Sequence, residues 1–186
     1  MDDLENKFLE LCAVEGKIYS EIEKALNINR ETARQLYIKT ADRRSRIVKL
    51  RATYKRKGYK QTPFDEFRKK CEELEKSNEC YYCGITLKEI NQLFELQLIM
   101  TKRSNTRGKS LEYERVEPNK AYEDLNNLKL ACYWCNNAKS DEFSADEFKP
   151  IGKQIGDALR ARLRQRQDSS APVARVSEAN PGQHPR

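Results

Sequence analysis

The 186-residue chain lacks the features that define several large protein classes. No segment comes near the ~20 consecutive apolar residues of a membrane helix; the most apolar stretch, Leu93 to Met100, is broken by Glu95 and Gln97. Seven glycines and six prolines leave no room for a collagen-like repeat. The opening Met1-Asp2-Asp3 carries the wrong charge for an export signal, so a cytoplasmic, reducing compartment is expected. There is one histidine, His184. Charged residues make up 35% and hydrophobic ones 38%, which predicts a modest core under a large polar surface. The length suits one ordinary domain or a compact core with a small satellite.

What the chain does have is unevenly placed charge. Residues 30–70 hold 15 basic groups against 4 acidic, and residues 150–167 hold 5 against 1. Residues 101–110 carry four basic groups and no acid. The intervening segments 1–29, 71–100 and 111–149 are each acidic by four charges, with 3 basic against 7, 2 against 6, and 5 against 9. Blocks of one sign are what a polyanionic partner needs, because each neutralised phosphate releases counterions. Solvated helix faces are the alternative for any single block.

Six cysteines are present, four of them in two pairs: Cys80-Tyr-Tyr-Cys83 and Cys132-Tyr-Trp-Cys135. Two residues between thiolates allow one tight turn to present both sulfurs to a single tetrahedral ion, and two such turns complete a four-cysteine Zn²⁺ site. A lone pair could be chance or a redox dithiol; two in one chain point to structural zinc. The long segment between the pairs requires an inserted substructure. Cys12 and Cys71 sit at helical apolar positions and read as core residues. Tyr81, Tyr82, Tyr133 and Trp134 read as packing around the metal, with base stacking as the alternative.

Along the chain, Leu4, Phe8, Leu11 and Cys12 recur at helical spacing up to Gly16. Ile22 and Leu26, a turn at Asn27, Ile28, then Ala33 and Leu36 follow the apolar spacing of a helix-turn-helix. Arg30, Thr32 and Arg34 then fall near the start of the second helix, where DNA would be read. Glu23 departs from the small residue usual between such helices, and a plain helical hairpin is the alternative. Residues 41–60 predict a basic helix with a thin apolar stripe of Ile47, Val48, Leu50 and Tyr54. Arg43 and Arg44 lie at its start, suited to a phosphate backbone. A helix around Phe64 to Glu75 leads into the first cysteine pair. Thr86 with Glu89, and Ser144 with Glu147, are capping boxes that start two further helices. The loop Thr101 to Ser110, with Lys102, Arg103 and Arg107, is cationic. Leu111 to Val116 reads as a short strand, and residues 168–186 lack the apolar periodicity to fold.

The segment Leu111 to Phe143 resembles the HNH nuclease family in its zinc-stapled form. The matching pieces are Glu114-Arg115, Pro118, Asn127-Leu128 and Cys132-Tyr-Trp-Cys135-Asn136-Asn137-Ala138-Lys139, with Cys80 and Cys83 as the upstream half of the zinc site. The resemblance covers about residues 78–150. It implies a ββα unit held by Zn²⁺, with Glu114 and Asn136 as oxygen ligands of one Mg²⁺ or Mn²⁺. It also makes Asn127 a structural tie between the strands and Lys139 a phosphate contact. Arg115 stands where the family has its histidine base; a guanidinium stays protonated and cannot activate water. The base would then come from Tyr113, Tyr122, Lys120, Glu112 or metal-held water, with Arg115 on the phosphate.

The expected fold is α+β and mostly helical, a ββα-metal (HNH) zinc domain with an N-terminal helix-turn-helix-like module. Its expected divisions are a helical module over 1–40, a basic linker helix and connecting helix over 41–77, the zinc domain over 78–167 and a disordered tail over 168–186. The expected function is a metal-dependent DNA endonuclease of phage, mobile-element or restriction/defence type. Double-stranded DNA is the expected partner, no membrane is involved, and a homodimer is the simplest source of a double-strand break. The alternative is a catalytically degenerate, zinc-dependent DNA-binding regulator. A structural zinc module for protein contacts is a third reading.

Overall fold

A computed structural model of the chain describes residues 3–100 and 107–170. Lys102, Arg103, His184 and the tail beyond residue 170 lie outside the described residues. The elements in order are α1 (Asp3–Leu9) continued by a π-helical turn (Glu10–Val14), α2 (Tyr19–Leu26), α3 (Arg30–Lys39), α4 (Ala41–Lys57) and α5 (Phe64–Ser77). Then come α6 (Leu87–Glu95), β1 (Glu112–Arg115), a 3₁₀ turn (Leu125–Asn127), β2 (Leu128–Ala131), α7 (Tyr133–Lys139) and α8 (Ala145–Ser170). The fold is therefore α+β and mostly helical, as its sequence pattern implies. The last helix runs three residues past Gln167, the end expected for it.

The chain divides into two compact units. The first comprises Met1–Asn78, Tyr113–Leu130 and Asp141–Ala145; the second comprises Glu79–Glu112, Ala131–Ser140 and Asp146–Arg186. In the first unit, Phe8, Ile22, Ala33 and Leu36 form one buried cluster against which Leu26, Ile28 and Cys12 pack. Asn27 closes α2 with φ 51°, and the Asn29 side chain caps α3 by accepting from Thr32 N at 2.8 Å. Asparagine tolerates this left-handed conformation, and a side-chain oxygen at an N-cap satisfies an orphan N–H. Glu23, the departure noted above, holds Arg30 in an ion pair at 3.0 Å.

The basic helix α4 is built into this unit's core through Ile47 and Leu50, whereas Val48 is 54% exposed and does not belong to the apolar stripe. Leu50 joins Tyr59, Phe67, Cys71 and Leu128 in a second cluster lined by Tyr54, Tyr113 and Tyr122. Burial pushes the Cys71 thiol up to about 12, as suits a core residue.

β1 and β2 pair as a two-stranded sheet. Val116 N donates to Asn127 O at 2.9 Å, so the end of β1 meets the start of β2. The connection between them is held by two side chains. Asn127 accepts from Glu117 N at 2.7 Å and donates to Glu117 O at 3.1 Å. Glu123 accepts from the backbone N–H groups of Lys60, Gln61 and Thr62, and from the Thr62 hydroxyl at 2.8 Å. These donors, Lys60 N–H foremost, hold the Glu123 carboxyl at about 2.

A carboxylate depressed on folding stabilises the fold above its unfolded pKa, and the contribution is lost as pH falls through the folded value. The contribution of Glu123 is therefore full above the usual glutamate range and disappears between that range and about pH 2. Glu123→Gln is expected to lower thermal stability at pH 7 and to narrow the gap from wild type as pH falls toward 2. Melting curves across pH check this; a constant gap would refute it.

Candidate metal centre

The first cysteine pair sits in a turn closed by its own backbone. Cys80 N donates to Ile85 O at 2.9 Å, Gly84 N donates to Cys80 O at 2.8 Å, and Glu79 and Thr86 form an antiparallel bridge. Gly84 closes the turn with φ +66°, a left-handed conformation that glycine adopts without steric cost. Thr86 then caps α6, its hydroxyl accepting from Glu89 N at 3.2 Å while Glu89 accepts from Thr86 N at 2.8 Å. The second pair lies where β2 gives way to α7. Cys132 is the N-cap, with Cys135 N donating to its sulfur at 3.5 Å, so a ligand residue also ends a strand and starts a helix.

The four sulfurs lie within 4.8 Å of one another, all four residues are buried, and none is in a disulfide. Zn–S bonds of ~2.3 Å in a tetrahedron put sulfurs ~3.8 Å apart. The Cys83 and Cys132 sulfurs are 3.7 Å apart. The donor set, its burial and its spacing thus fit Zn²⁺. Hydrogen bonds from the Cys132, Cys135 and Cys83 thiols hold the Cys80 thiol far below the usual cysteine range. The bond with Cys132, then those with Cys80 and Cys83 and finally burial, push Cys135 up. Among the described residues it is the one group of three or more His, Cys, Asp or Glu side chains close enough to share a metal.

Helix α8 clamps the first turn. A Cβ on Gly152 would stand 2.8 Å from Tyr82 Cβ, and one on Gly156 would stand 2.7 Å from Cys83 O and 2.9 Å from Cys83 Cβ. Arg160, one turn further on, donates to Cys83 O at 3.2 Å and to Glu89 at 2.9 Å. Tyr82 packs edge-on against Phe148 with ring centroids 5.2 Å apart. Sequence reading missed this contact. The signal was Gly152-x-x-x-Gly156, a spacing that exposes a helix backbone on one face. Of the four aromatic residues at the turns, Tyr82 is buried, Tyr81 is 38% exposed, and Tyr133 and Trp134 are half-buried.

The expected site residues fall as follows. Glu114, on β1 in the first unit, is 9% exposed. Asn136, on α7 in the second unit, donates from its side-chain amide to Glu112. Arg115 pairs with Asp141 at 3.0 Å, and its guanidinium lies 4.9 Å from the Tyr122 ring centre. Lys139, expected at a phosphate, is 0% exposed and its ammonium donates to Ser140 O at 3.4 Å; in this form it offers a phosphate no surface. Tyr113 is unsuited to act as a base. Burial, and then its donation to Glu75, push its hydroxyl well above the usual tyrosine range. Tyr122 is half-buried, and its hydroxyl oxygen accepts from Lys57 Nζ at 3.1 Å.

The candidate nucleic-acid contacts are mostly engaged within the chain. Arg30 pairs with Glu23 and lies over Tyr19, and Arg43 bonds Asn6 at 2.6 Å and Glu5 at 3.3 Å. Arg44 donates to Tyr37 O at 2.6 Å and stacks on the Tyr37 ring. Arg107 grips Glu112. Arg34 is exposed, and the Thr32 side chain is half-buried.

No family model matches the chain, and no curated protein matches it. A solved structure of the rare-cutting HNH restriction endonuclease PacI is similar at 25% identity, over 62% of this chain and 77% of that one, with a TM-score of 0.47. That overlap is too loose to carry a fold or an activity across. By its own fold and site, the chain is a mostly helical α+β protein with a buried four-cysteine centre suited to zinc.

Replacing a helical glycine with alanine ordinarily stabilises by about 1 kcal/mol. At Gly156 the added methyl meets backbone rather than space, and overpacking costs about 1–3 kcal/mol. Gly156→Ala is therefore expected to lower the melting temperature and to speed zinc loss to a chelator, beside an exposed control, Gln154→Ala, that does neither. Unchanged zinc retention would show that α8 does not brace the turn.

Proposed function

We propose that the protein is a metal-dependent DNA endonuclease of the HNH type. Zn²⁺ on Cys80, Cys83, Cys132 and Cys135 is its structural staple, and Mg²⁺ or Mn²⁺ its working ion. The observation that carries this reading is the four-sulfur cluster, two of whose cysteines lie at the start of α7, with Asn136 one residue past the second of them. A ββα unit is too small to bury a full core, and a metal makes up the deficit. A bound divalent ion supplies charge stabilisation for the phosphate and the leaving 3′-oxygen. The chain's own residues do the rest. Asn127 pins the loop between the strands, and Arg115 offers a permanent cation to a phosphate.

Glu114, Asn136 and Lys139 complete the set that the HNH resemblance assigns, Lys139 acting only once uncovered. With the Tyr113 hydroxyl donating to Glu75, the proton of the attacking water would pass to a deprotonated Tyr122, a neutral Lys120, the Glu112 carboxylate or a water that the metal would hold. Helices α2 and α3 serve as a helix-turn-helix for double-stranded DNA, led by the exposed Arg34 and supported by Thr32. Arg30, Arg43, Arg44, Lys102, Arg103 and Arg107 add phosphate contacts as their internal partners yield. Two copies related by a two-fold axis would cut both strands. The biological setting would be phage, mobile element or restriction and defence.

A second reading, a DNA-binding regulator that no longer cuts, is favoured by the pairing of Arg115 with Asp141 where the family keeps its base. Supercoiled plasmid incubated with zinc-loaded protein separates the two. Nicking in Mg²⁺ or Mn²⁺ that Asn136→Ala removes is the outcome expected of the endonuclease. Salt-sensitive binding with no nicking in either metal is the outcome expected of the regulator, and would sink the enzyme reading.

A further inference from the structure

Between Asp42 and Asp65 the chain has no acidic residue and nine basic ones. Most of this segment is α4, and the fold sorts its cations by helix face. Arg43, Arg46 and Arg51 have partners inside the first unit: Asn6 and Glu5, Glu75, and the carbonyl oxygens of Ala13 and Val14. Arg44 donates to Tyr37 O at 2.6 Å. Lys49, Lys55 and Arg56 are exposed, and among the described residues no carboxylate lies within ion-pair distance of any of them. Arg56 reaches only the Thr53 hydroxyl, 3.5 Å away and one turn back on the same helix. Ser45 and Ala52 share this outer face and are short, so the three long cations stand clear of it. At its C-terminal end the face leads toward Arg115. Lys57 Nζ lies 4.2 Å from the centre of the Tyr122 ring, and the Arg115 guanidinium lies 4.9 Å from the same centre.

We propose that the outer face of α4 is the chain's principal contact with a DNA backbone, with Lys49, Lys55 and Arg56 each neutralising one phosphate and Lys57 carrying the track on to Arg115. This role rests on the reading of the chain as a DNA-acting protein, and not on its cutting. An arginine bonded to a carboxylate must give up that bond before it takes a phosphate, whereas Lys49, Lys55 and Arg56 exchange only water. From Lys49 to Lys57 the helix rises ~12 Å, and one strand of a duplex presents a phosphate about every 3.4 Å of axis. The face therefore spans about three phosphates of one strand. A helix resting on an anionic membrane needs a broad apolar face as well as cations. On α4, Ile47 and Leu50 are buried in the chain's own core, and Val48 is the one exposed large apolar side chain. Such a face suits a polyanion with no apolar layer.

The test is the salt dependence with which zinc-loaded full-length protein binds a fluorescently labelled DNA duplex. Anisotropy is read from about 50 to about 200 mM KCl without Mg²⁺ or Mn²⁺, so cleavage plays no part. The combined variant Lys49→Gln, Lys55→Gln, Arg56→Gln is expected to flatten the slope of log affinity against log salt by about 2.7, at about 0.9 for each phosphate contact. Its deficit against wild type then shrinks about 40-fold across that range. Lys49→Arg, Lys55→Arg, Arg56→Lys retains the charges and is expected to retain the slope. Lys88→Gln, Lys149→Gln, Lys153→Gln removes as many charges from exposed positions of the second unit, and is also expected to retain it. A folding defect lowers the fraction of protein that binds and leaves the slope of the remainder unchanged. An unchanged slope in the α4 glutamine variant, or equal flattening in the second-unit variant, would overturn the assignment and leave the endonuclease reading intact. Tighter binding to an RNA duplex, or to phosphatidylserine–phosphatidylcholine vesicles, than to DNA would overturn the choice of DNA. No binding to any duplex would overturn both readings. The expected slopes with no nicking of plasmid would leave the α4 face standing and refute the endonuclease reading alone.

Discussion

Four thiol sulfurs drawn within 4.8 Å of one another are the constraint on which the second unit depends. They join a turn at Cys80–Cys83 to the end of β2 and the start of α7, elements with few buried aliphatic side chains of their own. Ile85, Ile90 and Leu93 are fully buried in the same unit. Metal affinity in such a site is folding free energy, because the unfolded chain has no preformed donor set. The close approach of Gly152 and Gly156 and the bonds from Arg160 then fix α8 to the turn. What is aimed by the cluster, Asn136 and Tyr133, is aimed because Cys132 and Cys135 lie on the same short helix.

Charge in the first unit follows a different logic. The acidic segment at the N-terminus and the acidic helix α5 supply internal partners for the basic block between them. Glu5, 12% exposed, takes both Lys39 and Arg43, while Glu75 takes Arg46. Glu10 takes Arg68 at 3.4 Å. The exposed Arg46–Glu75 pair is worth ~0–1 kcal/mol, so a phosphate could replace that carboxylate at little cost, whereas the mostly buried Glu5 holds its partners more firmly. Blocks that look like a polyanion-binding surface in one dimension are thus partly neutralised in three, and the proposed DNA contacts would be made by exchange.

Two tyrosines near the sheet illustrate how burial sorts identical side chains. Tyr113, on β1, packs toward Phe67 and donates to Glu75, which leaves its hydroxyl protonated. Tyr122, in the connection between the strands, stays half-buried between Lys57 and Arg115. Both were equally plausible as proton acceptors by residue type. The difference comes from strand alternation at one and loop exposure at the other.

The sequence alone determined what depends on local spacing. Paired cysteines two residues apart, Thr86 with Glu89 and Asn27 at a turn act over one turn of chain, and each is found in the role its spacing implies. The mostly helical α+β class follows from the same short-range patterns. Tertiary structure decided everything that needs two distant segments. It turned Val48 out of the core, closed Glu123 on residues 60–62 and buried Lys139. It also brought α8 onto Cys83 and set Asn136 against Glu112 rather than leaving its partner open. These outcomes join residues separated by up to 77 positions, as between Arg160 and Cys83. Periodicity carries no information over such distances, because which carboxylate meets which amide is fixed by packing after the chain has closed on itself.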